Sequence, residues 1–302
     1  MIPARIINKP WIKRIYLLFE MVTRLIQDKA YLKIMYRIRT GKRLNLTNPH
    51  SFNEKLQWLK LHDRKPIYTT MVDKYEAKKY VANIIGNEYI VPTLGVWNHF
   101  DEIDFDTMPD QFVLKCTHDS GGLVIVRDKN KLDKNATQIK IEGALKRNFF
   151  WKGREWPYKG IKPRIIAEKY LENRDNSQVY DYKIFNFNGE PKIIQVDYDR
   201  FVDHKRDLYT CEWEYIKCEY NYPSHKRNCI PKPAALNRMM ELAKALSKDQ
   251  MFIRTDFYCI DDKLYFGELT FYPESGFGWF NPVEMDTKLG AWLVLKDNEA
   301  VC

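Results

Sequence analysis

The sequence predicts an α+β protein whose sheets are built from antiparallel β-hairpins interleaved with amphipathic helices. Three observations carry that prediction. Apolar and β-branched runs come in closely spaced pairs at 111–127, 180–197 and 252–272, and strands joined by short turns pair antiparallel. Helical periodicity appears before and between them, at 51–61, 75–84, 136–149 and 234–247. With 302 residues and 45% hydrophobic content the chain can bury more than one small core, so two lobes are expected.

Composition removes several function classes. Aromatic residues are plentiful, with 19 Tyr, 16 Phe and 8 Trp, which argues against disorder. No apolar run approaches the roughly 20 residues that span a bilayer. The short run Ile15–Phe19 is followed by Glu20 and carries no small-residue cleavage site, so the chain is expected in the cytoplasm. None of the six cysteines forms a C-x-x-C pair. Cys218, His225 and Cys229 are irregularly spaced for zinc, and reduced, packed thiols are expected instead. Net charge is +9, and the first 43 residues carry all of it, with eleven Lys and Arg against Glu20 and Asp28. A nucleic-acid binder spreads its basic surface over the body of the fold, so no nucleic-acid partner is expected.

Taken in order, residues 11–40 read as a helix, with Ile12, Ile15, Tyr16, Phe19 and Val22 near helical spacing. That basic amphipathic pattern suits contact with the inner face of a membrane through residues 1–43. It suits equally a helix packed on the body with its charges in water. Ser51-Phe52-Asn53-Glu54 is a capping box opening the next helix. Asp73-Lys74 starts another, from Tyr75 to about Ile84, closed near Gly86.

The first hairpin pairs 111–115 with 123–127 around the loop Thr117-His118-Asp119-Ser120-Gly121-Gly122. Backbone N–H groups of such a small, polar loop can approach phosphate oxygens closely. Lys115, ending an apolar strand, points either to solvent or at an anion. A helix at 136–149 and the loop Trp151–Tyr158 lead to a strand at 164–171, where Glu168 and Lys169 interrupt an apolar run. The second hairpin turns at Asn188-Gly189, with Asp181 and Lys183 on one face of its first strand. Residues 199–230 read as irregular and polar, with a basic cluster of Arg200, His204 and Arg206; Pro233 then opens a helix to Ser247.

The third hairpin organises the chain. Arg254, Asp256 and Tyr258 share one face of its first strand, and Phe266, Glu268 and Thr270 share one face of the second. A three-residue loop at 261–263 sets Asp256 opposite Glu268 and Arg254 opposite Thr270. Facing carboxylates repel unless both turn to solvent or a hard cation offsets them, and Mg²⁺ needs only one or two carboxylates plus phosphate oxygens. Lys115, Glu168/Lys169, Lys183 and the Asp256/Glu268 pair together suit a nucleoside triphosphate with Mg²⁺. A loop and a closing helix follow Asn281.

The motif order resembles the ATP-grasp superfamily, and within it the TupA-like proteins associated with teichuronopeptide and polysaccharide biosynthesis. The resemblance is carried by SFNEKLQWLK at 51–60, VDKYEAKKYV at 72–81, FVLKCTHDSGG at 112–122, REWPY at 154–158, RIIAEKYL at 164–171, DYKIFNFNGEPK at 181–192 and FIRTDFYCIDDKLYFGELTFYPESGF at 252–277. It implies two α+β lobes with antiparallel sheets gripping ATP. The expected organisation is a basic helical segment at 1–60, a first lobe with a glycine-rich cover loop at 61–168, and a second lobe with the metal site at 169–302.

Carried over position by position, the resemblance implies that Lys74 and Lys115 contact phosphates, with Ser120 and Gly121 in the cover loop. Glu168, Lys169 and Leu171 lie beside the adenine, Asp175 (with Glu172 second) takes the ribose, and Lys183 reaches the nucleotide. Asp256 and Glu268 bind Mg²⁺, and Arg254 stabilises the developing oxyanion. Thr270 departs from the asparagine usual two residues after the metal glutamate, leaving one Mg²⁺ better supported than two. The implied chemistry is ADP-forming amide ligation through an acyl phosphate, joining an amino acid or amine to a sugar acid of a capsule, O-antigen or wall polymer. Arg200, His204, Arg206, Trp156 and Tyr158 are the candidates for gripping the sugar acid or its carrier; a solvated basic loop accounts equally for the first three. The alternatives are a polysaccharide glycosyltransferase, for which Asp197-Tyr-Asp199 supplies a D-x-D, a sugar or small-molecule kinase on the same fold, and a non-catalytic scaffold of the assembly machinery.

Overall fold

Strands of the chain sort into two main antiparallel sheets whose polar faces bound one cleft. The computed structural model describes residues 23–175, 177–199, 203–224 and 230–296. The part of the expected first helix before residue 23, together with Arg200, His225 and Cys229, lies outside the described residues. What is seen of that stretch is α1 (Asp28–Thr40), closed by Gly41. No helix among the described residues is long and apolar enough to cross a membrane.

The capping box forms as expected. Ser51 Oγ accepts from the Glu54 N–H, Glu54 closes back on the Ser51 N–H, and α2 (Phe52–His62) begins there. Phe52, first in this helix, inserts among Phe185, Phe187 and Phe252 at centroid distances of 6.2, 5.6 and 4.9 Å. Aromatic pairs in such tilted contacts contribute about 0.5–1.5 kcal/mol each beyond area burial, so this ring fixes α2 on the large sheet. α3 (Ile67–Val72) and α4 (Glu76–Ile85) add Tyr68, Met71, Ala77 and Val81 to the same core.

The small sheet has the order β1–β4–β2–β3, from β1 (Thr93–Trp97), β2 (Phe112–Cys116), β3 (Leu123–Val126) and β4 (Ile165–Lys169). Period-two alternation turns Phe112, Leu114 and Cys116 into its core beneath α5 (Lys134–Leu145), leaving Val113 and Lys115 on the opposite face. The helix expected over 136–149 stops at Leu145. Asn148 Oδ1 accepts from the Phe150 N–H and starts a separate turn, α6 (Phe150–Gly153).

In the large sheet the order is β11–β10–β5–β6–β7–β8, from β5 (Asp181–Phe187), β6 (Glu190–Tyr198), β7 (Lys205–Tyr209), β8 (Tyr215–Ile216), β10 (Phe252–Ile260) and β11 (Lys263–Thr270). Its apolar side packs on α2, α4, α7 (Leu236–Ser247) and α8 (Glu284–Trp292). Asn188 and Gly189 turn the β5–β6 hairpin with φ of 50° and 84°, the conformation that makes Asn-Gly a hairpin signal. The stretch 199–230, expected to be irregular, instead supplies β7, β8 and β9 (Glu219–Tyr220), the last paired with β12 (Phe280–Asn281). Its alternation is hidden because β7 (KRDLY) carries three charged residues, and the sheet buries two of them, Arg206 against Asp197 and Asp207 against Tyr198, both partners on β6.

Asp256 pairs with Glu268 and Arg254 with Thr270, as expected, but by a different route. The loop has two residues, Asp261 and Asp262, both at positive φ, and Ile260 already pairs with Lys263. That tighter turn alone would shift the acids by one residue. A bulge between Asp256 and Phe257, opposite Gly267, restores the register.

Candidate active site

Cross-strand register writes a charged row over the polar face of the large sheet. Glu268 stands opposite Asp256, Asp256 opposite Lys183, and Lys183 opposite Gln195. A parallel row runs Tyr258, Asp181, Asp197, Arg206. Directly opposed residues are the closest neighbours a sheet offers, so side chains of unlike charge meet there without help from loops.

Asp256 is buried and fully engaged. It accepts two hydrogen bonds from Arg254, both 2.7 Å, and one of 2.8 Å from Lys183. Arg254 also reaches Glu268 Oε1 at 3.2 Å and Thr270 Oγ1 at 3.1 Å, so one guanidinium touches all three expected metal ligands. Lys183 donates to Asp181 as well and lies 3.9 Å from Asp197. Burial opposes its charge, but Asp181 and Asp256 win, and the Lys183 ammonium is held above its ordinary range.

Glu268 differs: 45% of its side chain stays exposed. Enclosure by the walls works against ionisation, yet Lys74, Arg254, Lys183 and Lys115 together hold its carboxyl down to about 2. Two of these cations come from outside the large sheet. Lys74 precedes α4, its backbone N–H bonds to Thr117 O at 3.0 Å, and its Nζ donates to Asp119 O at 2.8 Å. Lys115 ends the small-sheet strand β2. Both lysines therefore approach the carboxyl of Glu268, whose strand partner is Asp256.

Between the sheets a cleft that Lys115 and Asp181 line, and that Lys74, Asp256 and Glu268 do not, encloses about 400 Å³, within the range of small-ligand sites. Val113, Leu123, Ile125 and Leu171 give it an apolar wall, while Lys115, Glu168, Asp181 and Asp197 line it with charge. Lys169 and Glu172 line it too; Asp175 does not, and its carboxylate accepts from the Ser177 N–H instead. Glu168 is buried between Lys115 and Lys78, the latter at 2.6 Å. Burial opposes its charge, but Lys115 and Lys78 hold its carboxyl below the usual range. Ser120 and Gly121 sit at the exposed tip of the β2–β3 loop, where Asp119 accepts from the Gly121 N–H and pairs with Arg147.

Several expected residues lie elsewhere or are already committed. Arg206 is buried and grips Asp197 at 2.6 Å and Glu274 at 2.9 Å, so it is no free cation for a sugar acid. His204 stacks on Tyr222 with centroids 3.8 Å apart, its Nε2 3.4 Å from Asp197. Asp197 accepts from Arg206 and Gln195, and although burial opposes its charge, His204, Arg206 and Lys183 hold its carboxyl well below the usual range. Among the described residues every strand pairing of the two main sheets is antiparallel, so Asp197-Tyr-Asp199 lacks the parallel crossover of a Rossmann unit that the D-x-D reading needs. Tyr158 comes close enough to Glu155, Glu268, Arg254 and Asp256 to feel their charges, and burial above all pushes its phenol up. Trp156 flanks it in the same short turn, half-buried.

Residues missed in the sequence include Lys78, Asp197 in its ion-pairing role, and Lys60. Lys78 lies in the first turn of α4 while Lys74 precedes the helix, so no helical-face spacing links the two. Lys60 is wholly buried, donating to Gly153 O at 2.7 Å and Ser275 O at 2.8 Å, and burial lowers its ammonium to about 7. It ties α2 to the turn 273–276, where Glu274 and Ser275 both hold positive φ. An interior lysine in a helix that otherwise reads as amphipathic carries no sequence signal of its own.

A family model described as TupA-like ATPgrasp matches residues 54–294. No curated protein matches the chain. Among solved structures it is similar to a D-alanine–D-alanine ligase from Helicobacter pylori, at 18% identity, covering 74% of this chain and 61% of that one, with a TM-score of 0.40. It is also similar to an N5-carboxyaminoimidazole synthetase from Staphylococcus aureus complexed with ADP, at 13% identity, 82% and 51% coverage and a TM-score of 0.41. The chain thus spans about half to three-fifths of the length of these two structures, and likenesses at that TM-score add no weight to the family match.

Proposed function

The chain belongs to the TupA-like ATP-grasp family, and from that premise we propose that it is an ADP-forming carboxylate–amine ligase. The observation that carries this reading is the convergence on Glu268. A half-exposed carboxylate, kept ionised by four cations drawn from two sheets and a helix start, stands opposite a second acid. That charge pattern is suited to a polyanion that brings its own divalent cation.

In this reading Lys74 and Lys115 contact the phosphates, Glu168, Lys169 and Leu171 flank the base, and Glu172 or Asp175 takes the ribose. Lys183 reaches the nucleotide from the large sheet. Half-exposed Glu268 and Thr270 beside it offer hard oxygen donors that Mg²⁺ takes, and Asp256 would join them on exchanging its contacts with Arg254 and Lys183 for the ion, so the donor chemistry fits. Bound there, Mg²⁺ supplies charge neutralisation on phosphate oxygens. The γ-phosphoryl group passes to a substrate carboxylate, making an acyl phosphate, and an amine then attacks the acyl carbon and expels phosphate. Arg254 stabilises the oxyanion of that second step, and the Ser120–Gly121 loop, closing over the phosphates, keeps water from the intermediate.

The substrates we propose are a sugar acid, nucleotide- or lipid-linked, and an amino acid or amine of a capsule, O-antigen or wall polymer, joined in the cytoplasm. Tyr158, which feels the charges of Glu268, Arg254 and Asp256, and Trp156 in the same turn are retained as sugar contacts; Arg206 is withdrawn because its guanidinium is saturated. The test is mass spectrometry of products formed from ATP, Mg²⁺, a panel of UDP-sugar acids and amino acids. Release of ADP and phosphate with an amide product is expected. Lys183→Ala and Asp256→Asn should each abolish turnover; undiminished turnover in both removes the assignment, and nucleotide binding without turnover in the unaltered chain favours a scaffold.

A further inference from the structure

The outer face of α1 carries two adjacent rows of side chains that the cleft does not use. Lys29, Lys33 and Arg37 recur every four residues, and Ala30, Ile34 and Ile38 recur beside them. All six are exposed, with Ile34 at 49% and Ile38 at 66%, and Leu25 just before the helix stands 88% exposed. The helix cannot roll to bury these isoleucines. Its inner face is locked by Tyr31, Leu32 and Tyr36, and the Tyr31 hydroxyl donates to Lys152 O at 3.1 Å. The one acid of α1, Asp28, points inward, 2.9 Å from Arg64 and 3.2 Å from Arg154. Folding therefore removes the negative charge from the outer face and leaves it wholly cationic and apolar.

We propose that this face of α1 docks on an anionic lipid bilayer, with the Lys29–Lys33–Arg37 row on the headgroups and the Ala30–Ile34–Ile38 row, with Leu25, in the acyl boundary. Charge complementarity selects the partner. The first 43 residues hold the chain's entire net charge of +9, and Lys42 and Arg43 follow just beyond the helix end. A nucleic acid would use the cations and leave the isoleucines in water, whereas an interfacial helix uses both rows. The inference is independent of the cleft's chemistry.

The experiment is co-sedimentation of the full chain with sucrose-loaded vesicles, either pure phosphatidylcholine or with about 30 mol% phosphatidylglycerol. Binding is expected only with the anionic lipid, and is lost near about 1 M salt, where screening shortens to about 3 Å. Lys33→Glu with Arg37→Glu, and separately Ile34→Ser with Ile38→Ser, should each weaken partitioning about tenfold. These positions are exposed, and an unchanged thermal melt shows that the variants fold. Absence of binding to anionic vesicles overturns the proposal. So does equal binding by all variants, which assigns the contact to other residues. Retention on a polyglutamate matrix through Lys33 and Arg37, without vesicle binding, overturns it in favour of an acidic protein partner.

Discussion

Arg254 and Glu268 meet across the β10–β11 pair, Nη2 to Oε1 at 3.2 Å, while the same guanidinium holds Asp256 at 2.7 Å. One arginine thus links the buried acid to the half-exposed one. The contact exists because the two acids and the arginine share a sheet face, and that sharing depends on one bulge residue.

Gly267 is that residue. A Cβ there would lie 3.2 Å from Asp256 O and 3.3 Å from the Tyr258 ring, and the first of these is backbone that cannot swing aside. Gly267→Val is expected to cost about 1–3 kcal/mol by overpacking. Urea denaturation followed by far-UV circular dichroism reads the loss. A variant as stable as the parent would mean that the bulge does not need glycine.

Glu268 makes the acid limb of stability partly its own. Its folded-state carboxyl is lowered from 4.5 to about 2, so its contribution is complete above about pH 4.5 and disappears as pH falls toward 2. Solvent reaches nearly half the side chain and screens the effect. The stability gap between the parent and Glu268→Gln should therefore be widest near neutrality and shrink steadily below pH 4.5. Thermal melts across that window check it; a gap constant with pH rules the ion cluster out as its source.

Arg206 is expected to act through the fold. Arg206→Ala leaves Asp197 and Glu274 without their cation inside the sheet, a loss of about 3–5 kcal/mol. Arg206→Met should recover part of this by refilling the volume. If Arg206→Ala instead keeps full stability and only raises the KM for an acidic acceptor, the residue contacts substrate after all.

Lys78 and Lys115 divide the work on Glu168. Lys78, only 11% exposed, mainly compensates the buried carboxylate, and Lys78→Met should cost about 1.5–3 kcal/mol of stability. Lys115, at 22% and lining the cleft, should on replacement by Met raise the KM for ATP about tenfold, the size of one charge-assisted hydrogen bond. Isothermal titration with a non-hydrolysable ATP analogue separates the two. Equal nucleotide affinity in the parent and Lys115→Met would exclude the phosphate contact.

Local chemistry explains what was readable along the chain. The Ser51–Glu54 capping box, the Asn188-Gly189 turn and the alternation of Arg254, Asp256, Glu268 and Thr270 are signals that neighbours a few positions apart settle between themselves. Strand β7 was unreadable because its charged groups are satisfied by residues on other elements: Arg206 is paired with Asp197 and Glu274, and Asp207 accepts from the hydroxyls of Ser224 and Tyr198. Read alone, those charges suggest a loop.

By itself, the sequence determined which segments become helices and hairpins, the family to which their order belongs, and which side chains of each strand share a face, because these follow from backbone periodicity and turn chemistry. Tertiary structure alone decided which of the charged groups are spoken for. Arg206 and Lys60 spend their charge inside the protein, whereas Glu268 keeps its own on a half-exposed side chain. The energy of a charge depends on what surrounds it in three dimensions, and residues as distant as Lys74 and Glu268 become neighbours only once the sheets have packed.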